Sequence, residues 1–190
     1  MSRISRLRFN IAILVLLAAP AATATPLTFS FQILPSGGAV AGPPGSTVGW
    51  GYWITNQDPT NWLVTTGVSP GSFQHGAVDT SIFDFPVLGP GQSRIQPYDP
   101  TNLLGLFQFT WDPSAPVGFV NSGNVVVSAE FWDGDPFGGG SLLATATDAS
   151  AAYSVTAIAA GPSTVPEPST VLLLASGLAA IAVMRRRAAR

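Results

Sequence analysis

Three carboxylates lie close together in residues 130–136, which read EFWDGDP. Oxygen ligands at short, irregular spacing are typical of Ca²⁺ sites, so Glu130, Asp133 and Asp135 are the candidate metal ligands. The spacing departs from an EF-hand loop, because no bidentate glutamate follows at the required distance. Asp133-Gly134 is also a hairpin turn signal, with Pro136 closing the turn. We therefore expect no required cofactor, with Ca²⁺ as the alternative.

Two of the five tryptophans are candidate ligand-binding residues. The alternation of apolar residues places Trp53 on the opposite strand face from Trp50, and Trp132 on the opposite face from Phe131. Exposed aromatic rings stack on sugars, so Trp53 and Trp132 could form a carbohydrate-binding surface. The alternative is that tryptophans fill the core, as we expect for Trp50 and Trp111.

Catalysis has little support from the residue types. Glycoside hydrolysis needs two carboxyl groups about 5 to 10 Å apart across a sugar cleft. Nine acidic residues between positions 25 and 165 offer pairs without any catalytic arrangement. His75 is the only histidine, cysteine is absent, and no G-x-S-x-G motif surrounds a serine. We predict that the protein is not an enzyme; a hydrolase with a carboxylate pair is the competing class.

The elements that would position these side chains are β-strands. Apolar residues alternate strictly in residues 27–33, 48–55, 107–111 and 125–132, which puts one set of side chains on a core face. Weaker candidates are residues 62–68, 80–85, 142–147 and 153–158. Pro44-Gly45 and Pro90-Gly91 predict turns, because proline presets φ and glycine accepts positive φ.

These strands and turns predict an all-β domain at residues 25–162. About eight strands separated by Pro, Gly, Asn and Asp clusters favour an antiparallel β-sandwich. An Ig-like arrangement is the first choice and a jelly roll is the alternative. The domain is long enough to bury its own core, so it does not require disulfides.

The N-terminus has the three parts of a secretory signal peptide. Arg3, Arg6 and Arg8 precede an apolar run at residues 11–19, and Ala22-Thr23-Ala24 follows. A basic head, a short apolar run and a small-x-small site predict cleavage by the secretion machinery after Ala24. Residues 1–24 are therefore the predicted signal peptide.

Charge is distributed unevenly along the chain. Residues 25–165 contain one cation, Arg94, and nine carboxylates, a formal charge of −8, whereas the whole chain has −2. Such a body should bind no nucleic acid, because that binding needs clustered lysine or arginine. The other seven arginines lie at the two ends of the chain.

The C-terminal residues 163–190 read as a membrane-addressing tail. An apolar stretch at about residues 169–184 follows Pro166-Glu167-Pro168 and ends in Arg185, Arg186 and Arg187. As a helix it would be about 24 Å long, short for a hydrocarbon core of about 30 Å, so the bilayer would have to thin locally. We expect a short transmembrane helix, with the arginines stopping transfer on the cytoplasmic side.

This tail resembles the PEP-CTERM sorting signal of Gram-negative bacteria, in which Pro-Glu-Pro, a short hydrophobic helix and terminal arginines follow one another. The resemblance covers residues 165–190 and the signal peptide. It implies recognition of Pro166, Glu167 and Pro168 by exosortase, a transpeptidase-like membrane protein thought to process the tail. It also implies an association with exopolysaccharide production.

Together these features predict an exported protein with a structural or binding role. It would pass through an inner-membrane intermediate, held by the C-terminal helix, and then reach the cell surface or the extracellular matrix. Extracellular polysaccharide is the expected partner of the domain. A carbohydrate-binding or Ca²⁺-binding module is the alternative to a purely structural role.

Overall fold

The computed structural model describes residues 27–161. The predicted signal peptide at 1–24 and the tail at 163–190 lie outside the described residues. So do the predicted helix at about residues 169–184 and the residues Pro166, Glu167, Pro168, Arg185, Arg186 and Arg187. Within residues 27–161, no helix has the length and apolar character needed to cross a membrane.

The described residues are all-β and form eleven strands. The strands are β1 (Phe29–Leu34), β2 (Ala39–Gly42), β3 (Thr47–Asn56), β4 (Trp62–Pro70), β5 (Gly76–Asp79), β6 (Val87–Leu88), β7 (Ser93–Gln96), β8 (Phe107–Trp111), β9 (Val120–Trp132), β10 (Leu142–Thr145) and β11 (Ala149–Ala157). The strictly alternating segments are confirmed as β1, β3, β8 and β9. Three of the weaker candidates are confirmed as β4, β10 and β11.

The predicted strand at residues 80–85 is wrong. This segment is a turn and loop, in which the Phe83 amide donates to the Thr80 carbonyl. Within this segment Ile82 and Phe83 are both buried. Two consecutive side chains therefore enter the interior from a loop, instead of alternating between the two faces of a strand. Periodicity did not reveal the short strands β2, β5, β6 and β7.

The strands form two sheets. In the first sheet the order is β1-β3-β8-β5, with β7 also paired to β3; in the second it is β2-β11-β9-β4-β6, with β10 also paired to β9. All pairs between these strands are antiparallel except β2–β11, which is parallel, so the predicted antiparallel arrangement is confirmed for every pair but this one. The parallel pair arises because the chain leaves the first sheet after β1, at a cis Leu34–Pro35 bond, and joins the second sheet as β2.

Both sheets contribute to one hydrophobic core. Trp50, Tyr52 and Ile54 of β3 are fully buried, as are Val127 and Phe131 of β9. Aromatic contacts dominate the centre: the rings of Trp50 and Phe107 stack at 4.4 Å, and Tyr153 of β11 meets Trp50 edge-on at 5.7 Å. Trp50 and Trp111 are thus core residues, as their spacing predicted.

Both predicted Pro-Gly turns are confirmed. Gly45 has φ of 81° and Gly91 has φ of 66°. The Ser46 amide donates to the Pro43 carbonyl at 3.0 Å, and the Gln92 amide donates to the Gly89 carbonyl at 3.1 Å. Proline followed by a glycine with positive φ is the pattern of a type II turn, and the second turn leads the chain into β7.

The chain after β7 crosses closely over the outer face of β3. A Cβ atom at Gly51 would overlap the Gln96 carbonyl oxygen and lie 2.7 Å from Pro97 Cα and 2.8 Å from the Tyr98 amide nitrogen. A glycine inside a strand often marks such a close backbone approach. The crossing also carries Tyr98, whose hydroxyl donates to Gln108 Oε1 at 3.0 Å.

Replacing Gly51 by alanine should destabilise the domain by about 1 to 3 kcal/mol, because backbone atoms would have to move to relieve the overlap. Urea unfolding followed by tryptophan fluorescence measures the change. Gly67→Ala is the matched control, since a Cβ there would lie 3.6 Å from the Ser128 side chain, an ordinary contact. Equal stabilities of the two variants would contradict the prediction.

A buried asparagine joins two loops at one end of the sheets. Asn56 is fully buried, and its amide group donates to the carbonyls of Asn61, Leu88 and Gly89 at 2.8, 3.3 and 3.0 Å. Its side-chain oxygen accepts from the Asp58 amide at 3.0 Å. These bonds fix the turn between β3 and β4 against the loop between β6 and β7.

Asn56→Ala should lower the free energy of unfolding by about 2 to 4 kcal/mol, because it leaves several buried backbone groups without their partner. Asn102→Ala is the control, since Asn102 is exposed and should change stability by about 0.5 kcal/mol or less. Differential scanning calorimetry of both variants checks the difference. A nearly unchanged free energy of unfolding in Asn56→Ala would contradict the prediction and would show that water replaces the side-chain amide.

Candidate functional site

The two candidate tryptophans lie on opposite sides of the domain. Trp53 belongs to β3 of the first sheet and Trp132 ends β9 of the second sheet, and neither belongs to the core set. Both side chains alternate with inward-facing neighbours, so they project from the outer faces of different sheets. The structure therefore does not bring Trp53 and Trp132 together on one surface.

Trp53 lies on an exposed part of the first sheet. Its side chain is 39% exposed, and its cross-strand partner on β7 is Ile95, which is 53% exposed. On the other side it pairs with Gln32 of β1. Trp53 and Ile95 therefore form a small apolar patch on a sheet face that is otherwise mostly polar.

Trp132 is less accessible than Trp53. Trp132 pairs with Trp62 of β4 on one side of β9 and with Leu142 of β10 on the other side. Its side chain is half-buried, and its indole nitrogen is buried without a hydrogen-bond partner in the described domain. Glu130 lies two residues earlier on the same outer face.

The loop that contains Asp133 and Asp135 connects β9 to β10. Asp133 Oδ1 accepts from the Ser141 amide at 2.6 Å, and Asp135 Oδ1 accepts from the Phe137 amide at 2.9 Å. The residues of 27–161 contain no group of three or more His, Cys, Asp and Glu side chains placed to hold a metal ion. In this arrangement both aspartates hold the shape of the loop through backbone amides.

The loop presents Phe137 at the rim of a surface cleft. The cleft has a volume of about 470 Å³ and lies where β6, at the edge of the second sheet, meets β7 of the first sheet. Its chemically distinctive lining residues are Asp84, Phe85, Gln92, Arg94 and Phe137. It combines an acid, a base, an amide and two phenyl rings.

An ion pair forms the polar wall of the cleft. Arg94 Nη2 donates to Asp84 Oδ2 at 3.1 Å, and the buried Tyr52 hydroxyl donates to Asp84 Oδ1. Burial raises the pKa of Tyr52, and its hydrogen bond to Asp84 raises that pKa further, so the hydroxyl stays protonated as a donor. Asp84 is thus held between a core tyrosine and the single cation of residues 27–161.

The phenyl rings form the apolar part of the cleft. Phe137 is 85% exposed and Phe85 is 46% exposed. Phe85 has φ of 47°, a left-handed conformation that is strained for a bulky residue. Its ring meets Phe83 edge-on at 4.8 Å, and Phe83 meets Tyr52 at 5.2 Å, which connects the exposed ring to the core.

Sequence reasoning did not identify this cleft as a site. Arg94 offered a signal, because it is the one cation among nine carboxylates in the domain. The spacing predicts a strand at residues 80–85, whereas Phe85 lies in a loop, and nothing in the spacing indicates that Phe137 approaches β6. His75 lies in a loop, where it is exposed, has φ of 56° and contacts Phe119 edge-on at 4.6 Å.

The carboxylates near the described clefts do not form pairs. The cleft at β6 and β7 is lined by Asp84 alone among the acids, and a smaller one of about 200 Å³ beside β1 is lined by Asp148 alone. Asp58, Asp79 and Asp99 accept backbone hydrogen bonds within local turns. The chemistry available at the larger cleft is hydrogen bonding and aromatic contact.

Comparison with known proteins gives one match, and it lies in the C-terminal tail. No curated protein and no solved structure matches the chain. Residues 164–187 match the family model described as the PEP-CTERM protein-sorting motif. This motif implies a protein that exosortase sorts to the cell surface. The resemblance predicted from the tail is therefore confirmed: the chain carries a PEP-CTERM protein-sorting motif.

Proposed function

We propose that this protein is an exported component of the cell surface or the extracellular matrix, in which its β-domain has a structural or binding role beside exopolysaccharide. The observation that carries this proposal is the sorting-motif match at residues 164–187. The acidic body is consistent with it, because a formal charge of −8 between residues 25 and 165 disfavours anionic partners such as nucleic acid.

The proposed route uses both ends of the chain. The secretion machinery would remove residues 1–24, and the helix at about 169–184 would hold an inner-membrane intermediate. Arg185, Arg186 and Arg187 would stay on the cytoplasmic side, since cationic residues favour that side. Exosortase would then recognise Pro166, Glu167 and Pro168 and release the domain to the surface.

We further propose that the domain is an Ig-like sandwich with a non-catalytic role. Two mostly antiparallel sheets around one core support the fold. The isolated placement of Asp84 and Asp148 in their clefts supports binding over hydrolysis, which needs two carboxyl groups across a cleft. The proposed role requires no cofactor, and the loop at residues 133–141 would serve as a support.

Exchange of Glu167 for Gln should leave most of the protein in the membrane fraction with Arg190 still present, because it removes the one carboxylate of the Pro-Glu-Pro segment. Intact mass and terminal peptide mapping of the membrane and extracellular fractions measure this. The wild-type chain should lack residues 1–24 and should end near residues 166–168.

Glu130→Gln is the matched control, since it makes the same chemical change on the outer face of β9 and should be processed normally. Normal processing of Glu167→Gln would show that the carboxylate is not recognised. A mature wild-type chain that keeps Arg190 in the inner membrane would refute sorting by cleavage.

A further inference from the structure

We propose that the cleft between β6 and β7 binds a neutral pyranose unit of a polysaccharide chain. In this site Phe85 and Phe137 contact the apolar face of the sugar, while Asp84 and Arg94 hydrogen-bond to its hydroxyl groups. The inference rests on the proposed function, because it specifies where the domain meets polysaccharide. It assigns the binding to residues other than Trp53 and Trp132.

The size and shape of the cleft fit one segment of a chain. Its volume of about 470 Å³ lies within the range of about 300 to 1,000 Å³ that is usual for ligand sites. The cleft lies between two sheet edges at the surface, so a polymer can pass through it without threading into the domain. A site for a free small molecule would enclose its ligand more completely.

Phe137 is held in an exposed position by the loop that carries it. Asp135 accepts hydrogen bonds from the amides of Phe137, Gly138 and Gly140 at 2.9 Å, the first through Oδ1 and the others through its carbonyl oxygen. Asp133 closes the loop through Ser141. An exposed ring on a fixed loop loses little conformational entropy on binding, which favours a role in contact with a ligand.

Phe85 supplies the second ring of the cleft, and its backbone conformation is strained. Its φ of 47° is unfavourable for a bulky side chain. Strained residues of this kind often occur at binding sites, where the surrounding structure holds them in place. Here the restraint is the contact with buried Phe83, which keeps the Phe85 ring at the cleft.

The ion pair supplies fixed donors and acceptors for hydroxyl groups. Tyr52 and Arg94 orient the Asp84 carboxylate, so its remaining lone pairs are preorganised as acceptors. The contacts of Arg94 to Asp84 and Gln96 both use Nη2, which leaves Nε and Nη1 as donors for a ligand. The Asp84 carboxylate can therefore accept from one sugar hydroxyl, while the Arg94 guanidinium donates to another.

The charge of the domain selects a neutral sugar over an acidic one. Asp84 balances Arg94, so the cleft itself has no net charge. Eight further carboxylates lie in residues 27–161, and they repel a polyuronate over distances of about 10 Å at moderate salt. A neutral pyranose avoids this repulsion and still offers hydroxyl groups and an apolar ring face.

The test is affinity electrophoresis and titration calorimetry of the full chain, purified in detergent, with three neutral polysaccharides and one acidic one. Dextran, galactomannan and xyloglucan are the neutral probes, and alginate is the acidic probe. We expect at least one neutral probe to bind more tightly than alginate. Phe137→Ser and Arg94→Gln should each weaken that binding by about tenfold, through loss of a ring contact or of charged donors.

Two control variants separate the site from general surface effects. Val117→Ser removes another exposed apolar side chain, 62% accessible, that does not line the cleft, and this variant should bind like the wild type. Phe137→Tyr keeps the ring and should restore most of the affinity lost in Phe137→Ser. Because Phe137 is 85% exposed, its variants should fold normally, and an unchanged melting temperature confirms this.

The outcomes distinguish this inference from the proposed function. Neutral polysaccharide binding that survives both Phe137→Ser and Arg94→Gln would overturn the site and leave the matrix role intact. Absence of binding to every probe would overturn both the site and the polysaccharide association, whereas correct sorting would still support export. Tighter binding of alginate than of the neutral probes would overturn the assignment of a neutral sugar.

Discussion

The structure depends on the burial of one aromatic layer between two β-sheets. The chain has no cysteine, so no disulfide limits the unfolded state, and stability has to come from the packed interior. Trp50 and Phe107 pair within the first sheet, and both rings contact Tyr153 of the second sheet. Each aromatic side chain buries about 150 to 250 Å². The same layer fixes Tyr52, whose hydroxyl reaches Asp84 at the cleft, so a core residue directly positions a surface carboxylate.

A domain with this core can place its few charges where they shape loops. Asp58, Asp79 and Asp99 accept backbone amide hydrogen bonds in turns. The backbone bond from Ser81 lowers the pKa of Asp79, and the bond from the Asn102 side chain, with the backbone bonds from Asn102 and Thr101, lowers the pKa of Asp99. For Asp58, burial alone would raise the pKa, but the bonds from Thr60 and Asn61 outweigh it and lower the pKa. Carboxylates used in this way are supports, which explains how an acidic domain can lack paired acids at its described clefts.

The long strands could be predicted from sequence because their side chains alternate over five or more residues, as in Phe107–Trp111. The two-residue strand β6 could not be predicted in this way, because two residues define no period. The Pro90-Gly91 turn was predictable because it depends on backbone conformation alone.

The cleft could not be predicted because it depends on long-range packing. The loop after β9 brings Phe137 to β6 and β7, whereas local spacing places it only near Asp135. For Trp53 and Trp132, alternation predicted that the side chains face outward. It could not show that their two strands belong to different sheets.

The two parts of the chain follow different physical rules. The information in the tail lies in local order, because Pro-Glu-Pro, an apolar run and arginines follow one another along the chain, and residues 164–187 match the sorting-motif model. The domain has to fold and present a surface, so its information lies in contacts between distant residues. Arg94 is the exception in the distribution of charge, because all other arginines lie at the two ends of the chain. Its pairing with Asp84 makes the cleft locally neutral within an acidic domain, and this local neutrality, together with two exposed rings, gives the cleft a chemistry that the rest of the acidic surface lacks.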